Sequence, residues 1–328
     1  MTQPPESTGP PLAINEDNRA KENRVRVRRG NSTRIWIILT LVAFIAGSSG
    51  GYWVGINSHD RMANQGSPDM ATLIEQINPP DGYAIDASFG DIGPQLIAAS
   101  AFKLDDFVSV YQQAGQPLTD DQMEVLERGS SDQVVFNQQN AYFLLNLFWA
   151  LGLTNQNPVL DNGPMLGNGR EDVVKFASTG GWSLAARPVD QLFSSTPIVT
   201  LTAAQQERLE EVVITVFRPC CDNPTHFPDC NHGMAMLGML ELMASQGASV
   251  GEMFAAAKYA NAYWYPQQTL ELAAYFQVRQ NENFSQVDAR QLVSQPFSSL
   301  SGYRNVHQWL STNGALPQSP GGGNSCGV

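Results

Sequence analysis

Residues 138–152, QQNAYFLLNLFWALG, decide the fold class. From Ala141 the run is apolar, with Asn146 its one strongly polar residue before Gly152. An apolar run of this length, without period-2 alternation, reads as a helix buried at the centre of a domain. It is too short to cross a bilayer, which takes about 20 residues. Asn137, Gln138, Gln139, Asn140 and Asn146 also flank or interrupt it.

Helical periodicity extends on both sides of this stretch. Residues 103–114 place Leu104, Phe107, Val108 and Tyr111 on one face. Thr119-Asp120-Asp121-Gln122 and Thr202-Ala203-Ala204-Gln205 are capping boxes that open helices over 119–128 and from 202 to about Phe217. Residues 231–246, 250–264, 266–279 and 300–312 carry the same period. Strand patterns are scarce, and Pro197–Leu201 is the best of them. Irregular connections are expected around Asn155–Arg170 and Gly180–Pro197. The predicted domain, residues 81–314, is therefore all-α and without internal repeats. A polar stalk with one short helix precedes it at 57–80, and a Gly-rich tail follows at 315–328.

The N-terminal residues 1–34 hold seven Lys or Arg and four Asp or Glu, a net charge of +3. Residues 35–56 then carry no charge, with Trp36 at one end and Tyr52 and Trp53 at the other. This is the pattern of a transmembrane helix with interfacial aromatic residues and a cytoplasmic N-terminus. Small residues near Ser49 would suit a cleaved signal peptide. The long basic leader and the apolar residues beyond Ser49 favour an uncleaved signal anchor. The main domain is then extracytoplasmic on a single-pass membrane protein. Gly47, Gly51 and Gly55 share one face of that helix, which fits a seam for a partner helix or a second copy. Membrane helices are rich in glycine for other reasons, so the seam stays one of two readings.

The remaining residues hold 12 basic and 27 acidic side chains, a net of −15. Such a domain repels nucleic acid and anionic lipid. Most of its carboxylates serve solubility. Asp105/Asp106 and Asp120/Asp121 lie near helix starts, where acids complement the dipole, and Glu210/Glu211 lie on a polar face.

Three of the four cysteines and two of the four histidines fall within residues 220–232. The stretch reads Pro219-Cys220-Cys221-Asp222-Asn223-Pro224-Thr225-His226-Phe227-Pro228-Asp229-Cys230-Asn231-His232-Gly233. Pro219 ends the preceding helix, because it has no N–H to donate. Cys230 and His232 fall at the next helix's N-terminus, where orphan N–H groups and the dipole favour a thiolate.

Three readings remain open. Cys220, Cys221, Cys230 and His232 could bind a soft metal such as Zn²⁺, Cu(I) or iron, with His226 and Cys326 as further candidate ligands. The cysteines could instead form disulfides, Cys221–Cys230 with Cys220–Cys326 being one of three arrangements. The vicinal pair could also be a redox dithiol. The histidines favour the metal, since a disulfide loop has no use for them. Met234, Met236, Met239 and Met243 follow on the next helix; core packing accounts for them better than copper ligation does.

The stretch resembles the bacterial extracytoplasmic proteins named for a PCYCGC motif. Pro219, Cys220 and Cys221 stand for the motif and Asp229-Cys230 for its later Asp-Cys pair, within residues 219–262. The Cys-x-Cys-Gly-Cys run itself is absent. The resemblance implies a membrane-tethered, cysteine-based, metal-binding surface module and no known reaction.

No phosphate loop, HExxH or GxSxG occurs, so no catalytic residue is assigned. His59 and His307 have no nucleophile nearby in sequence. Tyr259, Tyr263, Trp264 and Tyr265 are expected to pack between helices. The sequence thus points to a membrane-anchored metal-binding protein, with a disulfide-held interaction subunit and a thiol oxidoreductase as alternatives.

Overall fold

A computed structural model of the chain describes residues 69–317. The expected anchor at 35–56 with Gly47, Gly51 and Gly55, the basic leader, and Cys326 lie outside the described residues. Among the described residues, no helix is long and apolar enough to cross a membrane.

The described chain is mainly helical, with one small sheet. In order it forms α1 (Met70–Ile77), β1 (Tyr83–Gly90), α2 (Ile92–Ala98), α3 (Leu104–Gln113), α4 (Asp120–Glu127) and β2 (Ser130–Phe136). Then come α5 (Ala141–Thr154), α6 (Ala203–Val213), α7 (Asn231–Ser245), α8 (Val250–Trp264), α9 (Pro266–Gln280) and α10 (Leu300–Thr312). Single-turn helices fill the connections after α5 and α9.

The opening stretch is α5, and every residue of it except Tyr142 is buried. Its main partner is α7, also buried along most of its length. The two helices meet backbone to backbone at Gly152 and Gly238. A Cβ on Gly152 would lie 2.1 Å from the Met234 carbonyl oxygen, and one on Gly238 would lie 2.4 Å from that of Phe148. The Trp264 indole donates to the Ala141 carbonyl at 3.2 Å and packs against His232, so it joins the N-terminal ends of both helices. Asn155 and Glu241 join their C-terminal ends through a 3.0 Å hydrogen bond.

Both capping boxes form at the expected residues, Thr119/Gln122 and Thr202/Gln205. Helix α6 ends at Val213 rather than near Phe217. The β-branched run Val212-Val213-Ile214-Thr215-Val216 is a poor helix former. Beyond it, the Phe217 N–H is already committed to the Val293 carbonyl at 2.8 Å.

The all-α expectation needs one amendment: the domain is mainly α, with an antiparallel β1–β2 pair. Along β1, Ile85, Ala87 and Phe89 point inward and alternate with more exposed residues. The register shifts between Ala84 and Ser88, and Gln133 bridges the irregularity by donating to the Ile85 carbonyl at 2.9 Å. The Pro197–Leu201 segment forms no strand, because its N–H groups are taken by a side chain. The Asn155 side-chain Oδ1 accepts from the Ile198 and Val199 N–H groups at 3.0 and 2.8 Å. Only Thr196 makes a bridge, to Asn155.

The aromatic group packs between elements as expected. Tyr259 stacks on Tyr83 at 3.8 Å, and Tyr263 and Trp264 pack on Phe136 of β2. The short helix α1 is docked rather than free: Leu73 and Ile77 are buried, and Gln76 accepts from the Phe284 N–H at 2.9 Å.

Two outcomes are expected of the α5/α7 contact. Gly238→Ala forces a methyl into backbone that cannot yield, and urea unfolding should show a loss of about 1–3 kcal/mol or more. Glu241 is fully buried, and burial raises its carboxyl well above its ordinary value of 4.5, the hydrogen bond from Asn155 opposing this only in part. The folded chain therefore keeps a proton that the unfolded chain releases, so stability falls as pH climbs from about 4.5 towards the raised folded value. Glu241→Gln should flatten that slope in urea titrations run across the same pH range. An unchanged slope would show that Glu241 is ionised in the folded chain.

Candidate metal centre

The loop between α6 and α7 is tied down from every side. Thr225 donates through both its N–H and its hydroxyl to the Val216 carbonyl, at 2.8 and 3.0 Å. The His226 N–H reaches the Val213 carbonyl at 2.9 Å. Asn261 of α8 donates to the Phe217 carbonyl at 3.0 Å. The start of α10 grips Cys221 and Asp222: the Leu300 N–H donates to the Cys221 carbonyl at 2.9 Å and that of Ser301 to the Asp222 carboxylate at 2.8 Å. The Ser178 N–H holds the Asp229 carbonyl at 3.0 Å.

At the loop's centre lies Arg218, whose side chain has no exposure to solvent. Its guanidinium donates to the Asn223 carbonyl at 2.9 Å, the Phe227 carbonyl at 3.4 Å, the Asp229 carboxylate at 2.9 Å and the Cys230 sulfur at 3.4 Å. Asn223 donates to the other Asp229 oxygen at 2.8 Å. The loop thus wraps a buried cation with carbonyls, one carboxylate and sulfur, which is what a buried charge requires. Gly233 leaves the room: a Cβ there would meet the guanidinium carbon at 2.5 Å.

The three cysteine sulfurs converge beside this guanidinium. Cys220 Sγ lies 3.8 Å from Cys221 Sγ and 3.4 Å from Cys230 Sγ, and all three sulfurs lie within 4.8 Å of one another. The cysteines are unbridged and half-buried. Thiolates on one tetrahedral zinc, at Zn–S distances near 2.3 Å, stand about 3.8 Å apart. A disulfide needs about 2.05 Å. The spacing therefore fits a shared ion without rebuilding the loop.

Cys230 is also the N-cap of α7, its sulfur accepting from the Gly233 N–H at 3.3 Å. Hydrogen bonds from Cys220 and then Cys221 hold its thiol well below the ordinary value; burial opposes them and Arg218 assists. Cys220 is pushed up by its contacts with Cys221 and Cys230 and by burial. The contact with Cys220 lowers Cys221, but its contact with Cys230 and burial outweigh this and push it up to about 11. Of the three thiols, Cys230 is therefore the one that ionises first. Burial opposes the charge of Arg218, yet the Cys230, Cys221 and Cys220 sulfurs more than offset it and raise its pKa.

The structure brings Cys220, Cys221 and Cys230 together, and neither His226 nor His232 belongs to that mutually close group. The His232 ring packs on Tyr265 at 4.5 Å and Trp264 at 5.9 Å. Burial pushes its pKa down to about 4, so the imidazole is neutral at physiological pH. Its Nδ1 pairs with the Asn231 Oδ1 at 2.9 Å; that oxygen can only accept, which assigns the proton to Nδ1 and leaves a lone pair on Nε2. The four methionines of α7 are wholly buried in the core cluster, in accord with the packing reading.

The roles of Arg218, Asn223 and Tyr265 were not read from the sequence. A lone arginine against Pro-Cys-Cys in an acidic domain was the available signal for the first. Tyr265, the residue between α8 and α9, packs on His232, and its phenol is kept protonated by burial first and by nearby Cys220 and Cys230 second. Another pairing beyond sequence reach is His307 with Glu271, whose carboxylate is buried: Nδ1 lies 2.8 Å from Oε2. No family model, curated protein or solved structure matches this chain.

Two substitutions check the charge arrangement. Cys230→Ser should abolish the ultraviolet thiolate absorbance of the metal-free, reduced protein near neutral pH, whereas Cys221→Ser should retain it. Gly233→Ala should expel the guanidinium from its slot and lower the unfolding midpoint, by a free energy of about 3–5 kcal/mol, the order expected when a buried ion pair is broken. A neutral effect would mean Arg218 does not organise the loop.

Proposed function

We propose that this chain is a membrane-anchored, extracytoplasmic protein that holds one soft metal ion for metal handling, sensing or electron transfer. The observation that carries the reading is the convergence of three unbridged sulfurs, at the spacing one tetrahedral ion requires, within a loop anchored from four helices. Cys220, Cys221 and Cys230 are the ligands; His232, whose neutral imidazole lies outside that close group, is the candidate for the fourth place and would have to move towards the sulfurs to take it. Thiolate-rich sets of this kind select Zn²⁺, Cu(I) or iron over oxygen-seeking cations. The basic leader and uncharged segment at 35–56 support the anchor. The likeness to PCYCGC-motif proteins supports the same class.

A second reading has one observation in its favour. Cys220 and Cys230 sulfurs at 3.4 Å are close enough to oxidise with a small rotation, which would make the loop a disulfide staple in an interaction subunit.

Elemental analysis of the full-length protein from its native compartment, with a parallel free-thiol count, separates the two. About one equivalent of zinc, copper or iron per chain is expected. Cys230→Ser should abolish it, and His232→Ala should weaken metal affinity by at least about tenfold while leaving helix content intact. No metal together with two missing thiols would establish the staple.

A further inference from the structure

A cleft lined by residues between Phe89 and Phe143 shares no residue with the cysteine site. Its cavity is about 690 Å³, within the span of roughly 300–1,000 Å³ that small-molecule sites occupy. Its walls are α4 with the turn before it, β2, and the link from β2 into α5.

Two asparagines build the wall rather than offer themselves. Asn137 Oδ1 accepts from the Gln139 and Asn140 N–H groups at 3.0 and 2.9 Å, and Asn140 Nδ2 donates to the Val135 carbonyl at 2.7 Å. The link is thereby fixed, and it presents the exposed side chains of Gln138 and Gln139 to the cleft, opposite Gln116. The side-chain amides of these three glutamines make no hydrogen bond among the described residues. Tyr142 lines the cleft with them. Tyr142 is half-buried, supported by Tyr111 at 5.1 Å, whose hydroxyl donates to the Tyr142 carbonyl at 3.3 Å. No Lys, Arg or His lines the cavity.

We propose that this cleft binds a neutral, hydroxyl-rich ligand of the saccharide class, about a trisaccharide in size. A primary amide offers donors and acceptors side by side, as neighbouring sugar hydroxyls do. The carboxylates of Asp121 and Asp132 add acceptors for paired hydroxyls. An aromatic face beside them takes the apolar face of a pyranose ring. Absence of any lining cation excludes phosphorylated or carboxylated ligands. The three lining carboxylates, Asp121, Glu124 and Asp132, make a polycation the competing ligand, which titration with spermidine tests directly.

The test is calorimetric titration of the full-length protein with chitotriose, maltotriose and cellotriose, using spermidine and citrate as charged controls, each to about 10 mM. At least one trisaccharide should bind and neither control should. Tyr142→Ala should weaken that binding by at least about fivefold. The double variant Gln138→Ala/Gln139→Ala changes only exposed side chains and should do the same without altering the unfolding midpoint. Binding of spermidine alone, binding of no trisaccharide, or sugar binding untouched by both variants would each overturn the assignment.

Discussion

The approach of α5 to α7 governs the rest of the domain. Two helices whose backbones touch at Gly152 and Gly238 have almost no freedom to slide, since each carbonyl fills the space a Cβ would take. Their ends are then fastened separately, by Trp264 at the N-terminal side and by Asn155 with Glu241 at the C-terminal side. Because Cys230 caps α7, the position of its sulfur follows from that crossing. The cysteine loop is thus placed by the most tightly packed part of the core, although the loop itself has little regular structure.

Arg218 does for the loop what the glycine contact does for the helices. A guanidinium without solvent is tolerable only with its donors satisfied, and here they are met by two carbonyls, Asp229 and Cys230. Those acceptors come from residues 223–230, so the arginine collects the loop around itself. The pair with Asp229 is neutral in sum, so ionisation of Cys230, the first of the three thiols to lose its proton, adds negative charge to the cluster. Gly233 belongs to this device as much as any ligand does, since it vacates the volume the guanidinium fills.

Much of this was legible from residue patterns. The apolar run at 138–152, the two capping boxes and the apolar periods of α7 to α10 gave their helices directly, because local chemistry and burial agree there. The cysteine cluster was legible from spacing alone. What escaped notice depended on distant partners. Strand β1 buries Ile85, Ala87 and Phe89, but alanine, serine and aspartate are weak strand signals, and its partner β2 follows some 40 residues later. Pro197–Leu201 had the better strand composition, and one asparagine side chain took its N–H groups. Beside Arg218 the Pro-Cys-Cys context is the one signal of a special role; its burial depends on how the loop folds back to bring Asn223, Phe227, Asp229 and Cys230 onto the guanidinium.

The same arrangement limits which ion the site can hold. An ion bound by the three sulfurs sits near a guanidinium, so the ligands must supply enough negative charge to outweigh that repulsion. Three thiolates do so; neutral thiols do not. Binding must therefore release the protons of Cys220 and Cys221, both of which hold them tightly in the metal-free cluster. Hard cations gain too little from sulfur to drive that release, whereas ions with strong metal–thiolate bonds do. The net −15 of the chain beyond residue 34 is no guide here, because salt screens exposed carboxylates beyond a Debye length of about 8–10 Å. Any preference for soft metals would then rest on the sulfur ligands, while the buried arginine raises the cost of binding any cation whose bonds to thiolate are weak.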